Sequence, residues 1–134
     1  MPHPILVTAA IIEAGEKILI AKRKHDTFMG GSWEFPGGKV DFGEDPKDSI
    51  VREMKEEMDL DIEDPQLLHL TSHVYHRAEV DLHVIILFYV VKRFSGDVSH
   101  IQCQDSCWVD PQTIDRSTFL ESNQAALDMY LQQR

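Results

Sequence analysis

The sequence predicts an α+β domain, and three observations predict it. Apolar stretches of strand character recur over residues 5–23 and 66–93. A sharply marked amphipathic helix separates them at 45–58. A second helical pattern follows at 121–133.

Residues 5–12 (ILVTAAII) read as a buried strand, and 17–23 (KILIAKR) alternate like a second, across a turn at Glu13-Ala14-Gly15-Glu16. Residues 24–32 form a loop ending in Gly30-Gly31-Ser32. WEF at 33–35 is a short strand stopped by Pro36-Gly37-Gly38. Residues 66–76 and 80–93 pair as long antiparallel strands across a turn near 77–79. SCWV at 106–109 is a last short strand. The C-terminal helix turns Ala125, Ala126, Met129 and Tyr130 inward.

At 134 residues the chain is expected to form one domain spanning 1–134, large enough to bury a core without disulfide or metal staples. The formal net charge of -10 excludes the basic footprint of a protein that binds duplex nucleic acid or an anionic membrane. A small anionic ligand stays compatible, provided a cation sits between it and the acidic protein. Cys103 and Cys107 lie about 13 Å apart on a strand, too far for a disulfide, and read as reduced thiols of a cytoplasmic protein. His100 nearby does not complete a zinc spacing. Residues 1–12 lack the features of a signal peptide, and no apolar run reaches the roughly 20 residues of a membrane span.

Helix 45–58 carries the chemistry. Asp45 suits the N-cap, Pro46 the first turn, and Asp48 the positive end of the dipole. On a helical wheel Ile50, Val51, Met54 and Met58 form the core face. Glu53, Glu56 and Glu57 form an adjoining acidic stripe, with Glu53 and Glu57 next to the core. Like charges at these spacings repel, more so when partly buried. A hard divalent cation removes that repulsion. An acidic helix face alone is most often a solvated surface. Here a Pro-Gly-Gly loop and two further carboxylates, Asp41 and Glu44, lead into it, and together they suggest a metal–diphosphate cradle.

These residues resemble the Nudix box. Gly38, five residues, Glu44, seven residues and then Arg52-Glu53-Met54-Lys55-Glu56-Glu57-Met58-Asp59-Leu60 match six of its seven fixed polar or glycine positions. Asp59 stands where the family has glycine. It tolerates the left-handed conformation needed there, although its charge opposes the helix dipole. The strand pair before the box, WEFPGGK at 33–39 and the strand containing Trp108 extend the likeness to MutT-like members. The resemblance implies a Nudix-type α/β/α sandwich with a mixed, mostly antiparallel sheet, the box helix on one face and the C-terminal helix toward the other.

The resemblance also implies roles. Glu56 and Glu57 are metal ligands, and Glu53 is a ligand or the general base. The Gly38 carbonyl, or that of Gly37, adds a further ligand. Arg52 orients Glu53, and Glu44 supports the loop from behind. Asp105 is a second candidate for the base. Arg23 and Lys39 are candidates for phosphate contacts, Phe28 for stacking, and Asn123 for reading a purine edge or capping the last helix. The implied cofactor is Mg²⁺, with Mn²⁺ as a substitute. The implied reaction cleaves a nucleoside triphosphate to the monophosphate and pyrophosphate, as in sanitising 8-oxo-dGTP or a pyrimidine triphosphate. Within the family, dinucleoside polyphosphates, nucleotide sugars and ADP-ribose are alternative substrates. ADP-ribose members carry a proline where this chain has His76. A non-catalytic nucleotide-binding module would be marked by a broken acidic cluster, and this one is intact. The expected partner is a small nucleotide, bound by a monomer or homodimer.

Overall fold

A computed structural model describes residues 3–98 and 105–134. Cys103, His100 and their thiol and zinc readings lie outside the described residues. Strand β1 (Ile5–Ala14) runs parallel to β7 (Leu82–Val91) and antiparallel to β2 (Lys17–Lys22). With β3 (Trp33–Glu34) and β6 (Gln66–Tyr75), the order across the sheet is β3-β2-β1-β7-β6. Strand β9 (Asp105–Val109) adds to β2, and β4 (Gly37–Lys39) adds to β1. The sheet is therefore mixed and mostly antiparallel.

Both faces of this sheet are covered, which is why β1 is apolar at successive positions rather than at alternate ones. Ala10 and Ile12 face helix α1 (Pro46–Met58) and pack with Ile50, Met54 and Met58. Ala9 and Ile11 face helix α2 (Gln124–Gln133) and pack with Phe35, Phe88, Leu127 and Tyr130. Each fully buried Ile, Leu or Met is worth about 1.5–3 kcal/mol. The two half-cores hold both helices against one sheet, giving the expected sandwich. No helix among the described residues is long and apolar enough to cross a membrane.

The structure differs from the sequence reading at five places. Gly37–Lys39 is not a stop but a strand, paired Val7↔Lys39 and Ala9↔Gly37. A Cβ on Gly37 would lie 1.9 Å from the Thr8 carbonyl oxygen, so the approach to β1 requires glycine. Residues 80–93 are not one strand: β7 ends at Val91, and Arg93–Ser95 pairs with Asp61–Glu63 in a separate two-stranded sheet. Val51 is 38% exposed, at the margin of the core arc. Residues 121–123 form a single 3-10 turn, and α2 begins after it. That phase buries Leu127 and leaves Ala125 exposed.

Candidate active site

Helix α1 is fixed at both ends. Asp45 Oδ1 accepts the Lys47 N–H at 2.8 Å, and Pro46 takes the first helical position. At the other end Asp59 adopts the left-handed conformation (φ 55, ψ 39) and donates its N–H to the Lys55 carbonyl at 3.1 Å. Lys55 Nζ stands 3.1 Å from Asp59 Oδ1 and offsets the charge that the helix dipole disfavours.

Arg52 is the hub of the acidic face. Its Nε and Nη2 grip the two Glu44 oxygens at 2.8 and 3.0 Å. Nη1 reaches Glu53 Oε1 at 2.9 Å and Glu56 Oε2 at 3.0 Å, and Nη2 also donates to the Lys39 carbonyl at 3.0 Å. Charge-assisted bonds of this kind are strong and directional. Held by Arg52 and by the Asp41 N–H, Glu44 is driven down to about 2. One guanidinium thus ties the box loop, the end of β4 and the helix together.

Glu53 is 7% exposed, with its carboxylate against Gly38. A Cβ at Gly38 would sit 2.1 Å from Glu53 Oε2. Burial raises the Glu53 pKa, against the pull of Arg52. Glu57 is pushed up to about 7, first by burial and then by the negative charges of Glu53, Glu34 and Glu56, with Lys24 opposing. Among the described residues no three carboxylate, imidazole or thiol groups converge as a closed metal shell. Glu53 and Glu56 each turn one oxygen to Arg52, while Glu57 feels the negative charge of Glu34. Crowded, half-desolvated carboxylates beside a glycine backbone nevertheless form a donor set that suits a hard divalent cation.

Sequence reasoning missed Glu34. It is paired with Ala21 on β3, and both of its oxygens lie 3.2–3.3 Å from Arg23 Nη1. Burial raises its pKa, and Arg23 opposes the shift. Arg23 Nε also donates to the Phe28 carbonyl at 2.9 Å, which fixes the 24–32 loop over the site. The available signal was a lone carboxylate between Trp33 and Phe35 in a short strand.

Glu34, Arg23 and Gly37 line two adjoining spaces. One is a cleft of about 280 Å³ that contains Lys24 and Glu57. The other is a cavity of about 270 Å³ on the α2 side of the sheet, walled by Phe28, Tyr75 and Asn123, with Lys39 also on its lining. Its size is just below the roughly 300–1,000 Å³ of sites for drug-sized ligands, so it suits a single ring system. A larger space of about 670 Å³, lined by Glu13, Lys92, Tyr130 and Arg134, lies toward the other end of β1 and holds none of the candidate metal, phosphate or base contacts. Chemistry decides between them, and volume does not.

Asn123 holds the N-cap position of α2 without capping it through its side chain, and it is not a surface residue. It is 3% exposed and makes no capping bond, and its Oδ1 accepts the Phe35 N–H at 3.0 Å. Phe28 packs edge-on against Tyr75, and the Arg77 guanidinium lies over its ring. Asp105 stands apart. It is exposed at the start of β9, opposite Lys22, lines neither space, and accepts the adjacent Ser106 N–H at 2.8 Å.

A sandwich fold with a carboxylate-striped helix beside a glycine strand and a ring-sized cavity defines a class of phosphoanhydride hydrolases. A NUDIX domain family model matches residues 7–129, and the chain belongs to the Nudix family. It is 38% identical over 109 residues to a CTP pyrophosphohydrolase of Escherichia coli, covering 81% of this chain and 77% of that one. It is 32% identical over 124 residues to an 8-oxo-dGTP diphosphatase of Haemophilus influenzae, covering 89% and 85%. A MutT NUDIX hydrolase from Burkholderia pseudomallei superposes with a TM-score of 0.86 at 26% identity, covering 96% of this chain and 98% of that one. The protein is a phosphoanhydride hydrolase.

Proposed function

We propose that this enzyme hydrolyses a nucleoside triphosphate to the monophosphate and pyrophosphate, with Mg²⁺, or Mn²⁺ in its place, held by Glu56, Glu57 and the Gly38 carbonyl. The observation that carries this reading is that the two spaces share three lining residues. Glu34, Arg23 and Gly37 line both, so a base in the α2-side cavity directs its phosphates along the cleft toward Glu57. The relatives named for CTP and 8-oxo-dGTP support the substrate class. The same reading takes the chain as a single-domain cytoplasmic enzyme, monomeric or homodimeric, acting on a small nucleotide.

The roles follow from placement. Phe28 supplies a ring face beside the base, and Asn123 holds the Phe35 backbone that borders it. Arg23, on both linings, supplies positive charge where the triphosphate leaves the cavity, and Lys39 adds charge on the cavity wall. Glu53 is the general base: Arg52 fixes one of its oxygens, and burial raises its affinity for the proton of the attacking water. Asp105, outside both spaces, is the weaker candidate. Bound at the stripe, Mg²⁺ would offset the negative charge that builds on the phosphoryl oxygens and acidify a water.

The test is pyrophosphate and phosphate release across the common triphosphates, 8-oxo-dGTP, 5-methyl-dCTP, ADP-ribose and a dinucleoside polyphosphate. It is run with Mg²⁺ and with EDTA, for wild type and Glu57→Gln. Pyrophosphate from one or a few triphosphates, abolished by EDTA or by Glu57→Gln, is the expected result. Activity that survives Glu57→Gln unchanged would overturn the metal site. Turnover of ADP-ribose or the dinucleotide alone would overturn the substrate class.

A further inference from the structure

Helix α1 covers only part of its side of the sheet. Residues paired in register share a face, so each row can be followed outward from β1 through β7 to β6. Ala10 and Tyr89 are buried, whereas Leu67, next in their row, is 56% exposed. In the adjoining row Thr8 is buried beneath Ser49 of α1, Leu87 is half-buried and Leu70 is 54% exposed. Val74, paired with His83, is 40% exposed. Strand β6 is thus bare on this face.

β6 is also the outermost strand of the sheet. Among the described residues, no backbone hydrogen bond of Gln66–Tyr75 runs to any element but β7. Open edges are ordinarily guarded by brevity, charge, proline or a bulge. This one is ten residues long and contains no Asp, Glu, Lys, Arg or Pro. Its bulge, between Leu67 and His69, falls near the start and leaves 69–75 in unbroken register with β7.

Charge and symmetry choose the occupant. At a net charge of -10, most of the surface repels an identical copy, and a strand without charged side chains is where two copies meet at least cost. The unbroken stretch 69–75 is centred on Ser72. A two-fold axis at Ser72 sets Leu70 against the partner's Val74, Thr71 against the partner's His73, and Ser72 against its own copy. Every such pair falls on one face of the combined sheet. The exposed Leu70 and Val74 then pack on each other across the seam.

We infer that this protein forms a two-fold homodimer in which β6 pairs antiparallel with the partner's β6 about Ser72, continuing the sheet across both copies. The inference chooses between the monomer and the homodimer named above and holds whichever nucleotide is cleaved. Because β6 ends in Tyr75, the seam braces one wall of the α2-side cavity in each copy.

Sedimentation equilibrium and oxidative cross-linking test it. Wild type is expected to be dimeric at about 100 µM. Dimerisation should tighten as NaCl rises from about 0.05 to 0.5 M, because salt screens the repulsion and the seam has no ion pairs to lose. Leu70→Lys should weaken it at least about tenfold. Ser72→Cys gives up only an exposed hydrogen bond to His83 and, on mild oxidation, should form a disulfide between copies. Residues directly opposite on antiparallel strands have Cα atoms about 4.5–5.5 Å apart, within disulfide reach. Leu70→Cys should not, since Leu70 and the partner's Leu70 are offset by about 13 Å. Peptide mapping separates these bonds from any through Cys103 or Cys107. A wild type that stays monomeric at about 100 µM overturns the inference, whatever other molecule binds this edge. So does a dimer that weakens with salt, ignores Leu70→Lys, or cross-links at Leu70→Cys and not at Ser72→Cys. If Leu70→Lys fails to fold, the cross-linking pair still decides. Failure to release pyrophosphate from any triphosphate would strike the proposed reaction and leave the dimer standing.

Discussion

The Glu53 carboxylate lies so close to Gly38 that a Cβ there would sit 2.1 Å from Oε2 and 2.2 Å from the carboxyl carbon. The glycine of the box is thus required by the side chain of Glu53, fifteen residues on. Gly38→Ala is expected to push Glu53 out of place and to lower kcat at least about tenfold. The overpacking cost is about 1–3 kcal/mol. Gly37→Ala meets the Thr8 backbone at 1.9 Å instead, which cannot swing aside, and should cost more stability. Thermal melts and steady-state kinetics of both variants check this. A Gly38→Ala enzyme with wild-type kcat would show that the Glu53 position is unimportant.

Arg52→Lys keeps the charge and loses the fork. One ammonium cannot grip both Glu44 oxygens and also reach Glu53, Glu56 and the Lys39 carbonyl. Loss of supporting contacts behind a metal site typically costs about 10–100-fold in activity or metal affinity. The expected fall in kcat/KM is in that range, measured at saturating Mg²⁺. A value within twofold of wild type would remove Arg52 from the positioning machinery.

The metal-free protein should lose stability as pH rises. Glu57 has a folded pKa of about 7, above the ordinary carboxylate value of 4.5, so the folded state holds its proton more tightly. With more protons bound when folded, the stability slope is negative. The contribution is fully present below about 4.5 and is lost as pH climbs to about 7. In EDTA, Tm of wild type should therefore drop across this window relative to Glu57→Gln, which mimics the protonated form. Mg²⁺ should raise wild-type Tm more at pH 7.5 than at pH 5.5. Parallel Tm profiles for the two proteins would refute the assignment.

Asp59→Gly should stabilise the fold. The left-handed backbone costs a non-glycine residue about 1 kcal/mol or more, whereas the exposed Lys55 pair it would give up is screened by solvent and contributes little. A gain of about 0.5–1 kcal/mol, with unchanged kcat, is expected from denaturant melts. A loss of stability would mean that the Lys55–Asp59–Asp61 cluster outweighs the backbone strain.

Local pattern made the box helix legible. Asp45, Pro46 and the 3.6-residue spacing of Ile50, Met54 and Met58 placed it correctly, and the same spacing put Glu53 beside the core. Fixed offsets on one helix suffice for that. Glu34 was hidden because it is one carboxylate in a two-residue strand. Its environment comes from Arg23, eleven residues back, and Glu57, twenty-three residues on. The β4 strand was misread as a stop because glycine signals a turn unless a neighbouring backbone, here Thr8, comes close enough to need it.

The sequence by itself determined the apolar strands, the capped acidic helix and the set of carboxylates on it. Each is written in spacings of two to eight residues, where chain geometry leaves little freedom. Only the tertiary structure decided where the ring-sized cavity lies. Phe35 and Asn123 meet across 88 positions, and Tyr75 and Ser122 across 47. Such contacts depend on how two half-cores close around one sheet, and no local periodicity encodes them.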